Sequence, residues 1–187
     1  MKLVTISEMH AIEEEANKKG VSYEAMMDRA GKGVADFIQS YYGNCQPKVV
    51  TAIVGSGNNG GDALVALSYL QKKGWEIRAF LAKERDDPLV TQVKECGGTI
   101  SVYDQKKSKK ILEKWLNESA VLIDGLLGTG IKLPIKDPYL SILKLVKQSS
   151  AEFKIVAVDC PSGINCDSGE TAENRTPRSN TGKRSWF

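Results

Sequence analysis

The sequence has 187 residues, of which 41% are hydrophobic and 26% are charged, and these are ordinary proportions for a globular domain. A chain of this length can bury a core without disulfides or metals to stabilise it. The formal net charge is +3, but four basic residues between positions 174 and 187 account for it. The rest of the chain contains 22 basic and 23 acidic residues. This near balance excludes nucleic-acid binding through a basic surface.

The cysteines do not indicate a metal site, because the four cysteines and the one histidine lack zinc-ligand spacing. Cys160 and Cys166 bracket a short segment but do not form a Cys-x-x-Cys pattern. We therefore expect reduced, structural thiols, as in a cytosolic protein. The N-terminus has no apolar signal region and no window is long enough to span a bilayer, so we expect a soluble, cytoplasmic protein.

Two helices are predicted at the N-terminus. Thr5 and Glu8 have the spacing of a capping box, which predicts that the first helix begins after Thr5. This helix has three apolar residues at helical spacing, Met9, Ile12 and Ala16. Ser22 caps the second helix, in which the small residues Gly31 and Gly33 favour close helix packing over ligand contact.

The centre of the sequence predicts a strand, a loop and a helix. The run 49–54 is apolar and rich in β-branched residues, as in a strand buried on both faces of a parallel sheet. A loop rich in glycine and asparagine follows at 55–62, and an amphipathic helix is predicted from Ala63 to Lys73. Further strands are predicted at 76–82, 99–103, 120–124 and 154–159, and further helices at 89–96, 106–118 and 139–147. This alternation predicts a parallel sheet that helices cover on both faces.

Three of the predicted strands end in unusual polar loops, at 55–62, 124–134 and 159–165. The carboxyl ends of parallel strands lie at one edge of the sheet, so we expect the three loops to share one crevice. Each loop alone is explained by turn geometry, with Asp124 and Asp159 capping the turns that follow. Together the loops favour a ligand large enough to contact all three.

The first loop matches the dinucleotide fingerprint Gly-x-Gly-x-x-Gly at Gly55, Gly57 and Gly60. Asp62, at the predicted helix start, argues against an ordinary dinucleotide site, since its charge repels a pyrophosphate docked there. A phosphate-binding P-loop is excluded because no Gly-Lys-Ser/Thr follows the glycines. The second loop, with glycines at 128 and 130, is the better candidate for binding phosphates through its amides.

The same loops carry candidate ligands and a candidate acid. Asn59, Asp124 and Ser162 supply one carboxylate and two neutral oxygens, which suit a hard cation better than zinc. Asp159 follows a buried strand, where a carboxyl group can have a raised pKa and serve as general acid or base.

The motifs at 55–62, 124–130 and 158–164 resemble the three signatures of the YjeF N-terminal domain family, the NAD(P)H-hydrate epimerases. The resemblance covers about residues 5–170 and implies an α/β fold. The implied fold is a three-layer αβα Rossmann-like sandwich with a mostly parallel sheet and an N-terminal helix pair, in a protein that often forms homodimers. The resemblance further implies interconversion of the R and S forms of hydrated NADH and NADPH (NADHX and NADPHX), so that an ADP- or ATP-dependent dehydratase can restore the cofactor.

The resemblance also implies roles for individual residues. One potassium ion (K+) per subunit is held by Asn59, Asp124 and Ser162. The substrate's hydroxyl group is next to a ring nitrogen, so its loss leaves a stabilised cation, and water returning on the other face inverts the centre. We assign Asp159 as the acid/base, with Asp62 as the alternative. The residues implied to contact the substrate are Asn58, Asn59, Gly60, Gly61, Asp62, Gly128, Thr129, Gly130, Ile131, Lys132, Leu133, Pro134 and Asp159.

The sequence departs from the family pattern in three places. Ala63 stands where the family usually has glycine, and Arg29 stands where it often has asparagine. After Glu170 the family continues into further strands, whereas here a basic tail begins. We therefore interpret residues 171–187 as a flexible tail at a truncated or frame-shifted end.

Two alternatives to the epimerase are a non-catalytic binding module of the same fold and an NAD-dependent oxidoreductase. The missing hydride-transfer residues disfavour the oxidoreductase.

Overall fold

The computed structural model describes residues 4–131, 133–173 and 175–176. The helices are α1 (Ile6–Lys18), α2 (Tyr23–Tyr42), α3 (Asn58–Gln71), α4 (Pro88–Glu95), α5 (Ser108–Glu118) and α6 (Tyr139–Gln148). The strands are β1 (Val49–Val54), β2 (Glu76–Leu81), β3 (Thr99–Val102), β4 (Val121–Gly125) and β5 (Lys154–Ala157). In the part of the chain that is described, no helix has the length and apolar composition needed to cross a membrane.

The strands form one sheet in the order β3-β2-β1-β4-β5, and every pairing in it is parallel. β1 lies at the centre, with β2 on one side and β4 on the other. The connections therefore run in opposite directions from β1, and this divergence opens a crevice at the carboxyl ends of β1 and β4. The predicted α/β fold with a parallel sheet is confirmed.

Helices cover both faces of the sheet, which gives the predicted three layers. One hydrophobic core contains side chains of α2, α3 and α4, and the other contains side chains of α5 and α6. Successive residues of β4 alternate between them, since Val121 and Ile123 belong to the first core and Leu122 to the second. Both cores are apolar, and they hold the strand ends in fixed positions.

The two N-terminal helices begin where the sequence predicts. The Thr5 side chain accepts a hydrogen bond from the Glu8 N–H, and the Glu8 carboxylate accepts one from the Thr5 N–H. The Ser22 side chain accepts from the Ala25 N–H at the start of α2. The apolar stripe of α1 does not enter the core, because Met9 and Ile12 are 45% and 51% exposed.

The predicted start of α3 at Ala63 is wrong, because the helix begins at Asn58. Gly57 is extended and forms the N-cap, so the two asparagines and Gly60 belong to the first turn. Asp62 consequently lies in the second turn rather than at the helix start. Glycine and asparagine are poor helix formers, and here tertiary packing overrides that preference. The other elements begin and end within two residues of the predicted positions.

The two glycines of α2 give opposite expectations for alanine substitution. A Cβ at Gly31 would lie 2.5 Å from the Cβ of Val65, whereas a Cβ at Gly33 would meet nothing within 4 Å. We expect Gly33→Ala to stabilise the protein by about 0.5–1 kcal/mol through helix propensity. Gly31→Ala should destabilise it by about 1–3 kcal/mol because α2 and α3 must separate. Urea unfolding of both variants checks this, and equal shifts for the two variants would contradict the packing described here.

Candidate functional site

The carboxyl ends of β1 and β4 and the loop after β5 border a cleft of about 750 Å³. Residues from all three polar loops line it, as expected for loops that share one edge of a parallel sheet. Of the residues predicted to contact a substrate, the cleft is lined by Asn58, Asn59, Gly60, Asp62, Gly128, Thr129, Gly130 and Asp159.

Four of the other predicted contact residues, all within the described part of the chain, do not line this cleft. Gly61 faces α2, where a Cβ would lie 2.6 Å from the sulfur of Met27. Ile131 and Leu133 pack against the core formed with α5 and α6, and Pro134 is exposed in the same loop. Lys132 lies outside the described residues.

Two carboxyl groups in the cleft have raised pKa values. Burial raises the pKa of Asp62 to about 7, and the charges of Asp159 and Glu13 add to the effect. Burial and the charge of Glu13 also raise the pKa of Asp159, although a hydrogen bond from the Thr129 N–H opposes the rise. The two carboxyl groups line the same cleft and their negative charges repel each other, so the pair retains protons to higher pH than isolated carboxyl groups do.

Asp159 has an unusual backbone conformation. It lies two residues beyond the end of β5 and has a φ of 61°, in the left-handed region that non-glycine residues rarely adopt. The predicted strand to residue 159 is thus too long, because the chain leaves the sheet after Ala157. This turn brings the carboxyl group to the edge of the cleft.

Asn59 connects the loops that follow β4 and β5. Its amide nitrogen donates to the carbonyl oxygens of Val158 at 2.9 Å and Leu127 at 3.4 Å. Gly128 packs directly on this side chain, where a Cβ would lie 2.6 Å from the amide oxygen and nitrogen of Asn59. Gly128 is therefore required for close approach, and the three loops are held together below the cleft.

Asp124 lies beneath the cleft and is fully buried. Its carboxylate accepts hydrogen bonds from four neutral groups, the N–H of Leu126, the N–H and hydroxyl of Ser162 and the hydroxyl of Thr176. Burial raises its pKa despite these donors, and no basic side chain is among them. With the Asn59 amide nearby, the side chains supply oxygen ligands rather than sulfur or imidazole, and this donor set fits a hard cation.

Sequence reasoning missed Thr176, because the polar segment 171–187 has no hydrophobic periodicity. Its side chain is 2% exposed, its hydroxyl lies 2.6 Å from the Asp124 carboxylate, and its N–H donates to the Ser162 carbonyl oxygen. Thr171 also forms an antiparallel bridge with Ile164. These described residues of the segment pack against the loop after β5. Residues 177–187 lie outside the described part of the chain.

Helices α1 and α2 also contribute to the cleft. The lining residues from these helices are Ile6, Met9, His10, Glu13, Arg29, Ala30, Gly33 and Val34. The apolar stripe of α1 is the sequence signal for this contribution. Ser56 and Tyr139 complete the rim, with their hydroxyl oxygens 2.9 Å apart.

The expectation of reduced cysteines is wrong for one pair, because Cys160 and Cys166 form a disulfide. The turn between them, closed by a hydrogen bond from the Ile164 N–H to the Pro161 carbonyl oxygen, returns the chain so that the two Cα atoms lie 6.8 Å apart. Cys45 and Cys96 are free thiols.

Comparison with known proteins identifies relatives along most of this chain. Residues 23–179 match the family described as YjeF-related protein N-terminus. The chain is 32% identical to an NAD(P)H-hydrate epimerase of Cenarchaeum symbiosum, over 91% of this chain and 78% of that protein. It is 33% identical to an NAD(P)H-hydrate epimerase of Yarrowia lipolytica, over 93% of this chain and 70% of that protein.

A longer relative and a solved structure complete the comparison. The chain is 33% identical to the bifunctional NAD(P)H-hydrate repair enzyme Nnr of Thermofilum pendens, and it spans 33% of the length of that protein. The crystal structure of the yeast protein YNL200c has the same fold, with a TM-score of 0.76 over 95% of this chain and 78% of that chain, at 24% identity. This chain therefore belongs to the family described as YjeF-related protein N-terminus.

Proposed function

We propose that this chain is an NAD(P)H-hydrate epimerase that interconverts the R and S forms of NADHX and NADPHX. Relatives of similar length carry that name. The observation that carries the proposal for this chain is the pair of carboxyl groups, Asp62 and Asp159, whose pKa values are raised in one cleft. Two carboxyl groups with raised pKa values in one cleft are typical of an acid and a base that act together.

The reaction needs a proton at one face of the ring and a base at the other. In our proposal Asp62 donates its proton to the hydroxyl oxygen as the carbon–oxygen bond breaks, and water leaves. The remaining cation is stabilised by the adjacent ring nitrogen and by the negative charge of Asp159. A water molecule then adds to the opposite face, and Asp159 accepts its proton. The products are the inverted epimer and a proton moved from Asp62 to Asp159, and the reverse reaction uses the same groups in exchanged roles.

The apolar and polar parts of the cleft have different tasks in this proposal. The amides of Gly128 and Gly130 and the first turn of α3 provide N–H groups for the anionic parts of the nucleotide, while the Thr129 N–H donates to Asp159. Ile6 and Met9 of α1 border the same cleft and offer the ring apolar contacts, while the water that adds to the cation enters beside Asp159.

We also propose that Asn59, Asp124 and Ser162 hold a potassium ion. When bound, the ion neutralises the buried Asp124 carboxylate, and it has no catalytic step of its own. The support is the donor set, which pairs a fully buried carboxylate with neutral oxygens and, among the described residues, with no basic side chain. The residues of this cluster fix the loops after β4 and β5 relative to α3, and thereby position Asp159.

Other parts of the proposal come from the family resemblance. The name bifunctional repair enzyme, carried by longer relatives, supports a second activity that consumes the product, and we propose that it is an NAD(P)HX dehydratase. A homodimer and a cytoplasmic location stay predictions.

The proposed function is tested by incubating the chain with purified R-NADHX in potassium buffer and separating the epimers by chromatography. We expect S-NADHX to form much faster than it does without protein. Conversion at the spontaneous rate would contradict the proposal.

A further inference from the structure

Arg85 lies behind the glycine-rich loop that begins at the end of β1, in the connection between β2 and α4. Its side chain is 13% exposed, and it is not among the residues that line the cleft. One guanidinium nitrogen, Nη1, donates to the carbonyl oxygens of Gly55 at 2.6 Å and Gly57 at 3.1 Å. The side chain therefore connects two nearby carbonyl groups of the loop.

The guanidinium is itself held in place. Its Nε donates to the Asp87 carboxylate at 2.7 Å. The other oxygen of Asp87 caps α4 by accepting from the N–H groups of Leu89 and Val90. Arg85 is thus fixed to a rigid helix end, which is the condition for a long side chain to define the geometry of a loop.

Gly60 leaves room for this arrangement. A Cβ at Gly60 would contact the Gly55 carbonyl oxygen and would lie 2.7 Å from Nη1 of Arg85. The glycine in the first turn of α3 therefore allows the guanidinium, the loop and the helix to meet. This contact is also a local reason why the helix starts at Asn58.

The contacts of Arg85 determine where two N–H groups point. In a trans peptide unit the carbonyl oxygen and the N–H point in opposite directions, and neither unit here is cis. Since the Gly55 and Gly57 carbonyl groups face Arg85, the N–H groups of Ser56 and Asn58 face away from it. Ser56 and Asn58 both line the cleft.

We propose that Arg85 is a positioning residue for this site, which fixes the Gly55 and Gly57 carbonyl groups and thereby directs the Ser56 and Asn58 N–H groups toward the bound nucleotide. The nature of the ligand rests on the proposed function. Arg85 does not touch the reacting atoms, so its loss weakens nucleotide binding more than it slows the chemical step.

The test compares Arg85→Met with a matched variant, Arg78→Met. Arg78 is also nearly buried, with 11% of its side chain exposed, and it pairs with Glu76 and Glu118 away from the cleft. We expect Arg85→Met to raise KM for R-NADHX about tenfold while kcat changes less than about twofold, since hydrogen bonds to a charged group are lost. Arg78→Met should lower the Tm without changing KM. An unchanged KM in Arg85→Met would overturn the proposal.

Two further variants separate charge from geometry. Arg85→Lys keeps the charge but loses the planar fork, so we expect a KM between those of the wild type and Arg85→Met. Asp87→Ser can still cap α4 but no longer pairs with Arg85, and we expect it to raise KM as well. A KM in Asp87→Ser equal to that of the wild type would show that Asp87 does not position Arg85.

A measurement without ligand separates this proposal from the proposed function. Deuterium exchange into residues 55–62, followed by mass spectrometry, should be faster in Arg85→Met than in the wild type and unchanged in Arg78→Met. If the wild type lacks epimerase activity but this difference is found, the proposed function fails and the positioning role stands. Unchanged exchange in Arg85→Met would overturn the positioning role in either case.

Discussion

Asp159→Asn is expected to lower kcat for R-NADHX by about 10³-fold, because loss of a positioned acid or base costs about 10²–10⁴-fold. Asp62→Asn should have an effect of similar size, since each carboxyl group serves one face of the ring in the proposed reaction. Both asparagines keep the size and polarity of the replaced side chain. Chromatographic rates at saturating substrate measure the effect, with circular dichroism to confirm that the variants are folded.

The pH dependence of the wild type should reflect the same two groups. The Asp62 pKa of about 7 is raised from that of an ordinary carboxyl group, so the protonated form is present below pH 7 and is lost as pH rises through it. The rate should therefore fall above about pH 7, which is unusual for a reaction that depends on carboxylic acids.

Glu13→Gln is the matched control for these substitutions. Glu13 also lines the cleft, and its charge raises the pKa of both aspartates. We expect this variant to retain most of the wild-type kcat, and the decrease in rate should occur at lower pH because a repulsive charge has been removed. Wild-type activity in Asp159→Asn, or a complete loss of activity in Glu13→Gln, would contradict the assignment.

Asp124→Ala is expected to destabilise the protein by about 3 kcal/mol or more, because buried donors lose their acceptor at a cost of about 1–3 kcal/mol each. The donors left without this partner include the Ser162 N–H and the hydroxyl of Thr176. Urea unfolding measures the loss. Thr51→Val is a suitable control, since it removes one buried hydroxyl contact, to Ser119 at 2.8 Å, and should cost about 1 kcal/mol.

The same carboxylate permits a test of the potassium proposal. The Tm of the wild type should be higher in KCl than in NaCl or choline chloride at equal ionic strength, because an ion that binds only the folded state stabilises it. Asp124→Asn, which keeps the shape of the side chain but removes its charge, should lose this difference. A Tm that does not depend on the cation would argue against a potassium site at these residues.

The sequence predicts the fold well because strand burial and helix amphipathicity are local patterns. The apolar run Val49–Val54 and the capping box at Thr5 both appear in the structure as predicted. The start of α3 was misplaced because Gly60 and Gly61 are helix breakers by local preference. Their helical conformation depends on contacts with Arg85 and Met27, which are distant in sequence.

The candidate site was only partly predictable for a related reason. The loops after β1, β4 and β5 carry polar motifs at strand ends, so parallel topology alone brings them together. Glu13 and Thr176 come from segments that a local pattern assigns to a surface helix and to a tail. Their positions depend on how those segments pack, with Glu13 lining the cleft and Thr176 bonded to Asp124. The apolar stripe of α1 indicates that this helix packs against something but not where, and the Thr176 contact has no sequence signal.

The most direct test of the central claim is epimerisation of R-NADHX by the wild type in water enriched in ¹⁸O. The account predicts that each molecule of S-NADHX formed by the protein carries one solvent oxygen, because inversion proceeds through loss and re-addition of water. Enzymatic inversion that retains the original oxygen would contradict it, as would incorporation at the same rate with Asp159→Asn.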